Sequence, residues 1–294
     1  MFGKGPALAG LFFLWLAGAC LAQGDAKRGE YLAKAGGCIG CHTVEAKEGS
    51  KDKPVALAGG RALKTPFGTF YGPNITPHAE AGIGKWSEAD FMRAMREGRR
   101  PDGAHYYPAF PYTSFTRISD GDLRDLWAYL RALKPAEQPS KPHELGFFFR
   151  WRFLLVFWKW FFFTPGPFVA DAGKSAALNR GAYLVQALGH CGECHTPRNF
   201  LGGLKKDRAL AGGKLDEGKS PPVNAPNLTP TRLKRYGDGE LKDILTSGLY
   251  PDGDIMGETM AEVVKNTTSQ LTPADLDALI AFLRGLPALP DEPK

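Results

Sequence analysis

Cys-x-x-Cys-His is written twice in the 294 residues, as Cys38-Ile39-Gly40-Cys41-His42 and as Cys191-Gly192-Glu193-Cys194-His195, 153 positions apart. The pattern is that of a c-type haem attachment site. Two thiols each bond one vinyl group, and the adjoining histidine lies beneath the iron. Paired cysteines also bind zinc, but structural zinc pairs stand about 15–20 residues apart. The wide separation and the two trailing histidines favour haem. Of five cysteines, four belong to the motifs and the fifth is Cys20, so none is left for a disulfide. Two covalently attached haem c groups are therefore expected. Cys38, Cys41, Cys191 and Cys194 would carry the attachment bonds, with His42 and His195 as proximal ligands. Haem fixed in this way usually moves single electrons.

The motifs sit in a duplicated module. Arg28-Gly29-Glu30-Tyr31-Leu32 precedes the first and Arg180-Gly181-Ala182-Tyr183-Leu184 the second. Ala56-Leu57-Ala58-Gly59-Gly60 answers Ala209-Leu210-Ala211-Gly212-Gly213, and Asn74-Ile75-Thr76-Pro77 answers Asn227-Leu228-Thr229-Pro230. From haem histidine to asparagine the interval is 32 residues in both copies. Pro101-Asp102-Gly103 then answers Pro251-Asp252-Gly253. Leu123, Leu126, Trp127 and Leu130 recur at helical spacing, as do Leu276, Leu279, Ile280 and Leu283. Ser119 and Thr272 read as their N-caps, with Asp122 and Asp275 three residues on. A short helix from Gly24 or Asp25 through Ala33 should lead into the first motif. The expected fold is mainly α: two tandem cytochrome c domains, each a few helices with long loops around a covalently bound haem. The division reads as a signal peptide over 1–22, domain 1 over 23–135, an aromatic-rich interdomain segment over 136–168, and domain 2 over 169–294.

Lys4, the apolar run Ala7 to Ala19 and the small residues before Gln23 read as a secretory signal, cleaved after Ala22. Export suits haem attachment outside the cytoplasm and predicts a periplasmic protein, peripheral to the membrane in one reading. Cys20 is a weaker lipoprotein acceptor. Net charge is +4 over 23–135, +2 over 136–168 and −1 over 169–294. The basic first half suits an acidic partner or a lipid head-group surface, although a solvated helix face explains Arg93, Arg96, Arg99 and Arg100 as well. No nucleic-acid partner is expected.

Residues 147–163 hold eleven aromatic side chains interrupted by Arg150, Arg152 and Lys159. Three cations and a short run argue against a membrane span. Interdomain packing is the plainer expectation. Membrane-surface contact and docking on a partner subunit are the alternatives.

A haem that carries electrons usually has a second axial ligand, and methionine opposite histidine raises the potential. Nine residues after Pro251 stands Met260; nine residues after Pro101 stands Phe110. Met260 is therefore the expected distal ligand of the second haem, with Met256 as runner-up. The first haem meets a phenylalanine, which cannot bind iron. Its distal site is open, or is filled by His105, Met92, Met95 or a partner's residue. Met92 and Met95 fall on an expected helix from Asp90 to Glu97 and read better as core, while His105 reads better as a structural histidine.

Nearly the whole mature chain resembles the cytochrome c subunits of membrane-associated bacterial alcohol, gluconate and sorbitol dehydrogenases. The resemblance rests on Asn74-Ile75-Thr76-Pro77, Gly82-Ile83-Gly84-Lys85-Trp86, Tyr107-Pro108-Ala109-Phe110-Pro111-Tyr112, His190 through Asn199, and Gly257 through Val264. It implies a dehydrogenase subunit as electron donor, and an acceptor cytochrome, quinone or terminal oxidase beyond. Those subunits commonly have three haem modules, a C-terminal membrane-binding tail, and methionine at the position of Phe110. Here there are two modules. The chain shows no Gly-x-Gly-x-x-Gly after a strand-like run, so the dehydrogenase is expected on a separate chain. The expected role is an exported dihaem carrier passing electrons from a periplasmic dehydrogenase toward the respiratory chain. The alternative is a haem enzyme, peroxidase-like or oxidising a small substrate at an open first haem, with His105 as acid/base.

Overall fold

A computed structural model describes residues 24–44, 53–215 and 223–291. The expected signal peptide and Cys20 lie outside the described residues. The first module holds α1 (Ala26–Ala35), α2 (Cys38–His42), α3 (Glu88–Glu97), α4 (Tyr112–Phe115) and α5 (Asp120–Ala132). A separate helix, α6 (Leu155–Phe162), lies in the aromatic segment. The second module holds α7 (Ala176–Tyr183), α8 (Gly192–His195), α9 (Pro230–Leu233), α10 (Asp238–Ser247), α11 (Glu258–Asn266) and α12 (Pro273–Arg284). The mainly α expectation is met, and the helix starts follow from the caps. The Asp25 carboxylate accepts the amides of Lys27 and Arg28, Ser119 accepts that of Asp122, and Thr272 that of Asp275.

Between α2 and α3 the chain forms β1 (Ala62–Thr65) and β2 (Gly68–Tyr71), an antiparallel hairpin extended by β3 (Glu144–Leu145). The stretch expected to join the modules thus begins as part of the first module's sheet. In the second module β4 (Gly213–Leu215) pairs antiparallel with β5 (Val223–Ala225).

In each module the first helix crosses the last, α1 on α5 and α7 on α12. The repeated Arg-Gly-x-Tyr-Leu string explains how. A Cβ on Gly29 would stand 1.9 Å from the Asp125 carbonyl oxygen, and one on Gly181 would stand 1.9 Å from that of Ala278. Only glycine lets the two backbones approach so closely. Between that glycine and the next cysteine, the second copy is one residue longer. α7 absorbs the extra residue as a π-helical turn over Leu184–Leu188.

One continuous core runs through both modules, including Leu32, Leu123, Leu126, Leu184, Leu276 and Ile280. The remaining residues of the repeated string bind the modules to each other. Tyr31 of the first module donates to Asp275 Oδ2 of the second at 2.5 Å, and Tyr183 of the second donates to Asp122 Oδ2 of the first at 2.6 Å. Arg28 pairs with Asp122 within the first module, and Arg180 makes two bonds to Asp275 within the second, at 2.7 and 2.8 Å. The arrangement is that of a two-fold interface made inside one chain. Asp122 and Asp275, read from sequence as capping residues, are also the acceptors that join the halves.

Candidate functional site: two haem attachment motifs and their surroundings

α1 ends at Ala35, and Gly37 turns the chain at φ +64° into the single turn of α2. That turn carries Cys38, Cys41 and His42 together; α8 and the residue before it do the same for Cys191, Cys194 and His195. None of the four motif cysteines is in a disulfide. Burial pushes the thiols of Cys38 and Cys191 up to about 12, with the neighbouring motif cysteine adding to it. Burial also raises Cys41.

The two histidines are held alike. His42 Nδ1 lies 2.7 Å from the Pro73 carbonyl oxygen and His195 Nδ1 lies 2.7 Å from that of Pro226. A carbonyl only accepts, so Nδ1 carries the proton and Nε2 keeps its lone pair for a metal. Burial lowers the pKa of both rings, against the opposing pull of the carbonyls, and favours the neutral ligand form. Two thiols beside a neutral imidazole whose Nε2 keeps its lone pair are the donor set that covalent haem requires. The residues fit the group.

The other repeated strings build the loop behind each histidine. Thr43 Oγ1 accepts the Leu57 amide at 2.9 Å, as Thr196 Oγ1 accepts that of Leu210. Gly59 donates to the His42 carbonyl at 2.7 Å, and Gly212 to that of His195 at 2.9 Å. Leu57 and Leu210 both adopt left-handed backbone, at φ 60° and 62°. Asn74 and Asn227, each 2% exposed, follow the two prolines whose carbonyls hold the histidines. Their Oδ1 atoms accept the amides of Thr76 and Thr229, at 2.9 and 2.7 Å. The sequence marked these asparagines as part of the repeat but not as supports of the histidines.

The expected distal residues occupy corresponding places. Tyr106 donates to the Gly98 carbonyl as Met256 does to that of Gly248, and the bridge Arg99–His105 matches Leu249–Ile255. In this register Phe110 corresponds to Met260. Met260 lies half-buried on the first turn of α11. Phe110 lies half-buried just before α4, its ring 5.2 Å from that of Tyr106 and 5.8 Å from that of Phe115. Met95 is buried on α3 and Met92 packs against the same core, as expected for core residues. His105 keeps to the far strand of its bridge. Its carbonyl accepts from Arg152 at 2.9 Å, and its Nδ1 is buried with no hydrogen-bond partner.

Each module's distal segment also touches the other module. Glu193, inside the second motif, accepts from Thr113 at 2.6 Å and from Ser114 at 3.1 Å, both on α4. Glu262 on α11 takes both of its oxygens to Arg61 at 3.0 Å, and α11 packs against α2. His190 stands at the meeting point at φ 38°, its ring edge-on to Phe115 at 5.4 Å. A Cβ on Gly37 would lie 3.9 Å from its Nε2. The segments leading into the two motifs therefore lie side by side.

A helix-crossed module with thiols, imidazole and distal loop in this order is a c-type cytochrome domain. Residues 26–134 match the cytochrome c family. A dihaem c-type cytochrome of Cereibacter sphaeroides is 44% identical over 267 residues, which are 90% of this chain and 87% of that protein. The chain belongs to this dihaem cytochrome c family and carries two covalently bound haem c groups. It is also 38% identical over 263 residues to the fructose dehydrogenase cytochrome subunit of Gluconobacter japonicus, spanning 89% of this chain and 52% of that one. The cytochrome c subunit of a quinone-dependent alcohol dehydrogenase from Gluconobacter oxydans is 38% identical over 275 residues, covering 90% of this chain and 55% of that protein. The chain thus spans about half the length of these two dehydrogenase relatives. All three bear out an electron-transfer protein and not the haem-enzyme alternative.

Proposed function

We propose that this cytochrome is a two-centre relay in the periplasm, taking electrons from a separately encoded dehydrogenase and passing them toward the respiratory chain. Cys38, Cys41 and His42 would hold the first haem, and Cys191, Cys194, His195 and Met260 the second. The observation that carries this reading is the reciprocal packing of the modules, the first module's α4 on the second motif through Thr113 and Glu193, and the second module's α11 against the first motif's α2, with Glu262 on Arg61 beside it. It keeps the two redox sites adjacent, as a relay needs. Bound haem supplies reversible one-electron chemistry. The chain's residues fix its orientation, keep His42 and His195 neutral, and set the two centres apart. Thioether ligation raises a haem potential, so the second centre is the exit and the first the entry.

Absorption and electron paramagnetic resonance spectra of the oxidised protein test the assignment. One sulfur–iron charge-transfer band is expected, accounting for one haem of the two. Met260→Leu removes it, and Phe110→Met adds a second. A band that survives Met260→Leu would overturn the ligand assignment.

A further inference from the structure

The aromatic segment turns two of its three charges, Arg152 and Lys159, inward. Lys159, 9% exposed on α6, donates to the carbonyls of Glu97 and Gly98 at 2.5 and 2.8 Å and stands 4.5 Å from the Tyr112 ring. Arg152 reaches the His105 carbonyl and lies 4.3 Å over the Tyr107 ring. Arg150 donates through Nε to the Leu145 carbonyl. These bonds fasten the segment to the first module and leave its aromatic side facing solvent. Phe148 is 71% exposed, Phe157 57%, Trp160 79% and Phe161 68%. The interdomain packing expected from sequence is met by the inner rings, Phe162 lying against Gly203 of the second module, while these outer rings face solvent.

The apolar face continues onto the second module. Trp158 donates its indole N–H to the Leu201 carbonyl at 2.9 Å, and beside Leu201 stands Phe200, 90% exposed. A contiguous apolar face on this scale is uncommon on a monomeric soluble protein and marks an interaction site.

We propose that this face, centred on Phe157, Trp160, Phe161 and Phe200, seats the cytochrome in the interfacial layer of a phospholipid bilayer bearing anionic head groups. Two observations select lipid over a protein partner. Most of the rings project with more than half their surface free, and so do not line a groove. A protein partner would need a matching pit for each ring, whereas acyl chains adapt to any profile. Second, no carboxylate occurs from residue 145 to residue 170, and the segment, with Arg150 exposed, is net positive. That charge balance complements an anionic surface. Short helices rich in Phe and Trp, held flat on the protein, suit insertion to the head-group boundary.

Co-sedimentation of the mature holoprotein with vesicles tests the proposal. One set is phosphatidylcholine with phosphatidylglycerol, the other phosphatidylcholine alone. Binding is expected to both, and more tightly to the anionic set. Phe157→Ser, Trp160→Ser and Phe161→Ser should each weaken it about tenfold, as loss of a ring worth about 1.4 kcal/mol requires. The haem absorption spectrum of each variant checks that it remains folded. Wild-type protein that stays in the supernatant overturns the proposal. So do folded variants that sediment like wild type, the result expected if an acyl anchor did the binding. A face that instead joins two copies, seen as a dimer that the same variants dissociate and that has no vesicle affinity, overturns it too. None of these outcomes bears on the spectra that test the relay.

Discussion

Asn74 uses every hydrogen-bonding position of its amide. Nδ2 donates to the carbonyls of Ala136 and Gln138 at 2.8 Å each, and Oδ1 accepts from the amide and hydroxyl of Thr76. Asn227 is anchored less deeply. Its Nδ2 donates to the Leu289 carbonyl and to the exposed Asp291. Alanine at either position strands buried partners at about 1–3 kcal/mol for each group left unpaired. Asn74→Ala should therefore destabilise the holoprotein more than Asn227→Ala, as read by urea unfolding followed at the haem Soret band. Equal losses would mean that the clamp on Ala136 and Gln138 adds nothing. Because Pro73 precedes Asn74 directly, loosening this clamp also frees the carbonyl that orients His42. The repeat made both asparagines visible in the sequence. Their role was not, since the carbonyls they hold lie about sixty positions away and carry no side-chain signature.

At the scale of elements, the helix crossings depend on two glycines facing backbone. A Cβ at Gly29 or Gly181 meets a carbonyl oxygen that no rotamer change can move, so the helix pair must separate. Gly29→Ala and Gly181→Ala are each expected to lower stability by about 1–3 kcal/mol or more, as overpacking does. Gly239→Ala on α10, where nothing lies within 4 Å, should cost nothing. Thermal unfolding of the three variants checks the contrast. The helices themselves were legible because their signals are local: Ser119 and Thr272 cap them, and Leu123 or Leu276 begins a stripe that becomes core. The β1–β2 hairpin was not, because Ala62–Thr65 and Gly68–Tyr71 are short and do not alternate cleanly between apolar and polar. Nor was the orientation of residues 147–163. Lys159 and Arg152 look like solvent-facing breaks in an apolar run until the carbonyls of Glu97, Gly98 and His105 are brought beneath them. Which side of such a segment faces water is decided by acceptors distant in sequence, and composition does not record them.

The whole molecule is held by paired contacts that cross between modules, and one of its acids titrates in a useful direction. Burial raises the Asp275 carboxyl, but the bonds from Arg180 and Tyr31 outweigh it and hold the group below its ordinary 3.8. A folded-state pKa below the unfolded one means that the stabilisation is complete above the unfolded value and is lost as pH falls through the folded one. Acidification below 3.8 should therefore loosen the Asp275 side of the interface. Other carboxylates titrate in the same range, so the measurement is a difference. Urea stability of wild type and Asp275→Asn, compared across a pH series, should show a gap at neutral pH that closes on the acid side. Tyr31→Phe, which keeps Arg180 in place, should give a smaller gap of the same shape. A gap independent of pH would mean that Asp275 contributes by packing and not by charge. If the gap closes as expected, the electron exchange rate between the haems should fall over the same acid interval. The contacts of Glu193 and Glu262 keep the sites adjacent only while the modules remain docked.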